Sequence, residues 1–250
     1  MSLPVFVLGV GAWPGPAGAA GDSAAAAKPQ AQLLTARMRG RASLLTALFA
    51  DVALQATRAA GLAPRELPSI FGSAYGEMGT LQSLIHQLYH GDGALSPARF
   101  QASVHNTAAG QLSIALGNEH FSTSLAAGRD TVAMVLLEAF GWLEHNPGSV
   151  LVACADEGAS EVLQPGIHYG PLAAACVLSN QPGLAVRARL GSLCSAHAVE
   201  PPAQVSCNPC LPALTLVQAV LSGRETTLDL NPGSPCTYSL SVQPVSAEAR

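Results

Sequence analysis

The side chains able to do covalent or metal chemistry are few: six cysteines, seven histidines and 16 carboxylates in 250 residues. Cys194, His197, Cys207 and Cys210 form a CxxH followed, after nine intervening residues, by a CxxC, a donor set that zinc accepts. One CxxH with one CxxC does not by itself specify a metal. Asn208 and Pro209 also read as the cap and first position of a helix running to Leu221, which accounts for the local sequence without one. The expectation is no metal and no organic cofactor. Cys154 and Cys176 stand inside apolar runs and read as core thiols, and six cysteines in a chain of this length make no disulfide scaffold.

Other nucleophile and phosphate signatures fail at particular positions. Gly72-Ser73-Ala74-Tyr75-Gly76 places its serine one residue too early for a Gly-x-Ser-x-Gly elbow. No glycine-rich loop ends in Lys-Ser/Thr. His86, His90, His120 and His145 fit polar helix faces or loops without ligand spacing, and His168 lies beside the Gly170–Leu178 segment. His105 reads as a structural or capping residue, with a contact to a partner's pocket as the alternative.

The elements that must position these residues follow from periodicity and punctuation. Val5–Val10 reads as a buried first strand, followed by a Gly/Ala/Pro-rich connection through about Ala27. Ser43–Ala60 repeats apolar residues at helical spacing and stops at Gly61. Ser69–Ser73 is a short strand, Gly79–Tyr89 a second helix, and a third begins at Asn106, whose side chain is expected to cap it, and runs to Gly117. Phe121–Leu125 is a strand, followed by a sharp turn and a helix to about His145. Ser149–Ala155 and Leu172–Leu178 are strand-like, and Leu184–Leu193 alternates apolar and polar residues. Pro201 and Pro202 mark a break before the last helix, and Thr237–Val242 is a final strand. Strands alternating with helices predict an α/β layered fold.

On these residues the sequence resembles the N-terminal half of the β-ketoacyl synthases, the condensing enzymes of the thiolase-like superfamily, most clearly from Arg37 to about Leu178. Asn106-Thr107-Ala108-Ala109-Gly110-Gln111-Leu112-Ser113-Ile114 matches the family's Asn-x-x-Ala-Gly-x-x-Ser/Ala-Ile. At the expected distance follows Ser122-Thr123-Ser124-Leu125-Ala126-Ala127-Gly128, where the family has Thr-Ala-Cys-Ala-Ser/Ala-Gly. The family's nucleophilic cysteine position is therefore Leu125. The cysteine chemistry depends on a thiolate held at a strand-to-helix turn, which the helix N-terminus stabilises by about a kcal/mol. Leucine has no nucleophilic atom, and no cysteine lies between Met1 and Ala153 to replace it. The two histidines that the family uses to bind the thioester carbonyl and promote decarboxylation are not found either; His197 lacks the Gly-Thr context of the first.

What the resemblance implies is a thiolase-like (ketosynthase) layered α/β fold with its N-terminal half largely complete and its C-terminal half truncated. It is expected as one domain over 1–250, divided into an N-terminal half at 1–180 and a reduced part at 181–250. The implied function is a non-catalytic partner subunit of the chain-length-factor type, paired with a full-length β-ketoacyl synthase and meeting an acyl carrier protein indirectly, in elongation of aryl-polyene, polyketide or fatty-acid-type chains. Phe121, Thr123, Ser124, Leu125, His105 and Asn106 are its candidate interface and tunnel residues. The alternatives are an independent homodimeric acyl-binding module, and an acyltransferase or thioesterase using another thiol such as Cys194 or Cys207.

Composition excludes other classes. Hydrophobic residues make up 49% of the chain and charged residues 11%, enough apolar material for a sizeable core. The net charge of -4 lacks the basic footprint of a phosphate-backbone binder, so nucleic acid is not an expected partner. Mean hydropathy is +0.30, yet the longest uncharged run, Val162–Val186, is broken by Pro165, Pro171 and Pro182, and no membrane insertion is expected. The apolar segment from Pro4 has no Lys or Arg before it, so a cytoplasmic location is expected. The basic cluster Arg37, Arg39 and Arg41 reads as a solvated face at the start of a helix, with an anion or carrier-protein contact as its alternative.

Overall fold

The two most apolar runs become the centre of one sheet. Ser149–Asp156 (β4) and Leu172–Ser179 (β5) pair antiparallel, buried at nearly every position, because a strand covered on both faces has no polar side to present. The computed structural model describes residues 4–14, 28–91, 94–158, 165–182, 186–197, 207–232, 234 and 236–245. The other strands are β1 (Val5–Trp13), β2 (Ser69–Gly72), β3 (Ser122–Leu125), β6 (Ala188–His197), β7 (Thr226–Asp229) and β8 (Cys236–Pro244). The helices are α1 (Ala36–Arg39), α2 (Leu44–Ala60), α3 (Met78–His90), α4 (Pro97–Gln101), α5 (Thr107–Leu116), α6 (Thr131–His145) and α7 (Leu211–Ser222).

Strand order is β3-β2-β4-β5-β1-β6-β8-β7. β2 pairs parallel with β3 and with β4, and the remaining neighbours are antiparallel. Alternate residues of the central strands serve two cores: Leu151 and Ala153 pack with α2 and α5, whereas Val150, Val152 and Cys154 pack with α6 and α7. α2 is capped by Ser43, whose Oγ accepts from the Thr46 N–H at 3.0 Å, and ends in left-handed Gly61. Its alanine face lies directly on β1. A Cβ on Gly9 would stand 2.2 Å from the Ala56 carbonyl oxygen, so glycine at that strand position is what permits the approach.

The last strands fold across the α6 and α7 layer. Arg189–Leu193 of β6 and Leu137, Phe140 and Glu144 in the later part of α6 line one cavity of about 280 Å³, and the Asn231 amide, beyond β7, donates to Asp130 Oδ1 at the start of α6, at 2.7 Å. Leu228, Leu240 and Val242 join the same core as α7, so the strands before and after residue 180 share one packed interior. Among the described residues no helix is long and apolar enough to cross a membrane.

The expected α/β layering is what the chain adopts, with three revisions. The last helix begins at Leu211, not Pro209, because Asn208 holds the preceding turn out of the helix: its Oδ1 accepts from the Cys210 N–H at 2.9 Å, while its amide donates to the Gly170 carbonyl at 3.0 Å. Asn106 stands at the cap position of α5, but its side chain makes no cap hydrogen bond. The alternation read over Leu184–Leu193 forms β6 from Ala188 onward, and the strand runs four residues past Leu193, to His197. The Gly/Ala/Pro-rich connection beyond Pro14 and the Pro201-Pro202 break lie outside the described residues.

Candidate functional site

Three parallel strands end side by side. β2, β4 and β3 bring Ser73, Asp156 and Leu125 to one edge, the carboxyl-end position where open α/β sheets place their ligand sites. The Ser73 N–H donates to the Leu125 carbonyl at 3.1 Å, closing the gap between the first and last of these. After Leu125 the chain turns on Ala126, Ala127 and left-handed Gly128, and Thr131 fixes the turn: its hydroxyl donates to the Gly128 carbonyl at 2.7 Å and accepts from the Ala127 N–H at 3.0 Å. α6 starts there, aiming its N-terminal dipole at the turn. A thiolate at this position would be stabilised; Leu125 instead turns half-buried onto the apolar core beneath α6.

Asp156 is the polar centre of this edge. It is 1% exposed, and it accepts from the Ser73 hydroxyl at 2.5 Å, the Ala74 N–H at 3.0 Å, the Tyr75 N–H at 3.2 Å and the Cys210 thiol at 3.1 Å. Burial nevertheless holds its carboxyl above the usual range, the donors opposing that rise. Ser73 also accepts from the Gly76 N–H at 2.8 Å, so its oxygen is engaged in shaping the turn. Cys210 sits beside a carboxylate in a dry interior, and both influences push its thiol up, the reverse of an activated nucleophile.

A second carboxylate pair lies where α2 and α3 begin. Glu77, also 1% exposed, accepts from the hydroxyls of Ser43 (2.9 Å), Thr46 (3.3 Å) and Thr80 (3.4 Å). Glu157 accepts from the Leu45 N–H at 3.3 Å and the Gly79 N–H at 2.6 Å, tying both helix starts to the end of β4. Desolvation raises Glu77 to about 7 against the pull of its hydroxyl donors, and Glu157 adds repulsion. Burial raises Glu157 as well. Both carboxylates hold loops and helix ends.

The residues singled out in the sequence fall into separate groups. Phe121, 44% exposed, and half-buried Thr123, Ser124 and Leu125 line up along β3, which is the edge strand of the sheet. Ser124 Oγ is buried without a hydrogen-bond partner, and Ser122 bonds Ser69 across the strands at 3.1 Å. His105 and Asn106 are exposed, and the His105 ring lies 3.0 Å from where a Cβ on left-handed Gly76 would stand, so it packs over the turn that Asp156 holds. The proposed zinc donors divide between elements: Cys194 and His197 lie on β6, the latter opposite Cys236, while Cys207 and Cys210 precede α7. Cys210 faces Asp156, and among the described residues no group of three His, Cys, Asp or Glu could hold a metal. Cys154 and Cys176 are core thiols as expected, Cys176 pushed up to about 12 by burial.

Sequence reasoning missed Glu77, Asp156 and Glu157. The signal available for Asp156 was its place at the end of the run Ser149–Ala155, where a carboxylate closing a wholly apolar strand must be either the first exposed residue or a satisfied buried one.

Comparison with known proteins bears on this arrangement. No curated protein matches the chain in sequence. Among solved structures, the ketosynthase ApeO in complex with its chain length factor ApeC from Xenorhabdus doucetiae matches with TM-score 0.70 and 22% identity, over 96% of this chain and 99% of that one. The ishigamide ketosynthase/chain length factor matches with TM-score 0.74 and 13% identity, over 97% and 100%. AntDE:AntF, a type II polyketide synthase acyl-carrier protein in complex with its ketosynthase bound to the hexaketide, gives 0.75 and 12%, over 98% and 100%. At these identities the likeness is one of fold. The β-ketoacyl synthase N-terminal domain model matches residues 12–234, from β1 through the turn that reaches Asp130, and so the chain belongs to the β-ketoacyl synthase family.

Proposed function

We propose that this chain is a non-catalytic partner subunit, of the chain-length-factor type, that pairs with a full-length β-ketoacyl synthase during carrier-protein-dependent elongation of aryl-polyene, polyketide or fatty-acid-type chains. The observation that carries the reading is Leu125: an aliphatic side chain packed half-buried against the core at the end of β3, where the family's nucleophile would stand at the start of α6. Acyl transfer needs a nucleophile that leucine does not supply. The open edge of β3, with Phe121 exposed beside it and Ser124 lacking a partner, supports pairing along that strand. Residues 1–180 are read as the thiolase-like half and 181–250 as a reduced second half, and the protein as cytoplasmic. In the pair, Phe121 and Leu125 limit chain length by occupying volume that extra methylenes would need.

The test is reconstitution of elongation on a carrier protein in a system lacking every other ketosynthase. The chain alone yields no elongated product, and product appears once the full-length ketosynthase is added. Elongation by the purified chain alone would sink the reading.

A further inference from the structure

A cleft of about 450 Å³ opens between the starts of α2 and α5 and the helices α3 and α4. That volume lies within the range of about 300–1,000 Å³ typical of small-molecule sites. Its polar lining is Arg41, Ser43, Thr80, Arg99, Thr107 and Gln111. Two features give this lining a sign. Neither Arg41 nor Arg99 has a carboxylate within ion-pair distance among the described residues, so two guanidinium charges face one space uncompensated in a chain of net charge -4. Arg99 is held in place by uncharged groups of α3, donating to Ser83 Oγ and, at 3.5 Å, to Gln87 Oε1.

The helix ends reinforce that sign. Ser43 caps the 17-residue α2 and Thr107 opens the 10-residue α5, and neither helix has an acidic residue in its first turn. Glu77 takes hydroxyl hydrogen bonds from two of the lining residues, Ser43 and Thr80. Its carboxyl is held up at about 7 by burial, so near neutrality it opposes an anion only in part; Glu157 does not line the cleft and is engaged by the Leu45 and Gly79 N–H groups.

We propose that this cleft binds the phosphate group of a small organic phosphate ester, with Arg41 and Arg99 as its two cationic ligands. Guanidinium forks suit the several oxygens of a tetrahedral dianion, and the Gln111 amide stands along the same wall to donate. The space left over, much larger than a phosphate alone, admits the organic part, with Ala98 and Ala102 forming an apolar strip. The inference does not depend on the chain's being a partner subunit.

Calorimetric titration of the full chain with phenyl phosphate tests it, with inorganic phosphate as the smaller probe. Saturable binding is expected, tighter for phenyl phosphate than for inorganic phosphate. Arg41→Ala and Arg99→Ala each weaken it by about tenfold or more, the loss expected for a charge-assisted hydrogen bond, while the exposed Arg224→Ala leaves it unchanged. Arg99→Lys, which keeps the charge and loses the fork, falls between. Circular dichroism of each variant guards against unfolding. No saturable binding by the wild type, or equal weakening by Arg224→Ala, would overturn the proposal.

Discussion

Glu77→Gln isolates one buried charge whose effect on folding has a definite sign. In the native chain the Glu77 carboxyl rises from 4.5 to about 7, chiefly because burial disfavours its ionised form and secondarily because Glu157 repels it. A raised carboxyl binds its proton more tightly folded than unfolded. Its contribution to stability is therefore complete below about pH 4.5 and is lost as pH rises through about 7. At about 1.36 kcal/mol per pH unit the rise is worth on the order of 3 kcal/mol. Glutamine keeps the shape and can still accept from Ser43 and Thr46, but it does not titrate. Urea unfolding between about pH 4.5 and 8 should show the wild type losing stability relative to the variant by about 3 kcal/mol, whatever the offset between the two at about pH 4.5. Asp156 is raised in both proteins and cancels in the difference, whereas Glu157 loses its repulsion with Glu77 in the variant, a smaller change than the desolvation of Glu77. A flat difference curve, or one in which the wild type gains on the variant as pH rises, would refute the argument that desolvation outweighs the three hydroxyl donors.

Four further substitutions or probes follow from the packing. Gly9→Ala drives a Cβ to 2.2 Å from the Ala56 carbonyl and 2.5 Å from the Ala60 nitrogen, backbone atoms with nowhere to move; thermal denaturation should show a loss of roughly 3 kcal/mol or more. Asp156→Ala leaves the Ser73, Ala74, Tyr75 and Cys210 donors without their acceptor and should cost at least about 3 kcal/mol in denaturant unfolding, whereas a loss under about 1 kcal/mol contradicts the network described. Alkylation followed by mass spectrometry should modify exposed Cys194 in the folded chain and spare Cys154, Cys176 and Cys210 until it unfolds. Leu125→Cys should gain an alkylatable thiol at the start of α6 yet show no condensation of a malonyl thioester by itself; turnover would contradict the absence of the partner histidines.

The long elements were legible because their signals are redundant. α2 has helical spacing over 17 residues, a serine cap and a terminal glycine, and β4 and β5 are continuous apolar runs bounded by polar residues. α1, α4 and β7 have four or five residues each, too few for a period to repeat, and they take their form from what surrounds them. The turn at Leu125 was readable from residue types in order. The carboxylates were not: Glu77 and Glu157 stand far apart in the chain, and only the convergence of two helix starts on the end of β4 brings them to one place. Asn106 and Asn208 show the same limit, since both have the composition of a cap while one makes no cap bond and the other ties the turn before α7 to Gly170.

The central claim is that Leu125 belongs to a subunit that works only beside a catalytic one. Light scattering of the chain purified after co-expression with a full-length β-ketoacyl synthase of the same source tests this most directly. A stable complex with the mass of one copy of each is the predicted result. A well-behaved homodimer of this chain, separating cleanly from the enzyme, would contradict it and favour an independent binding module.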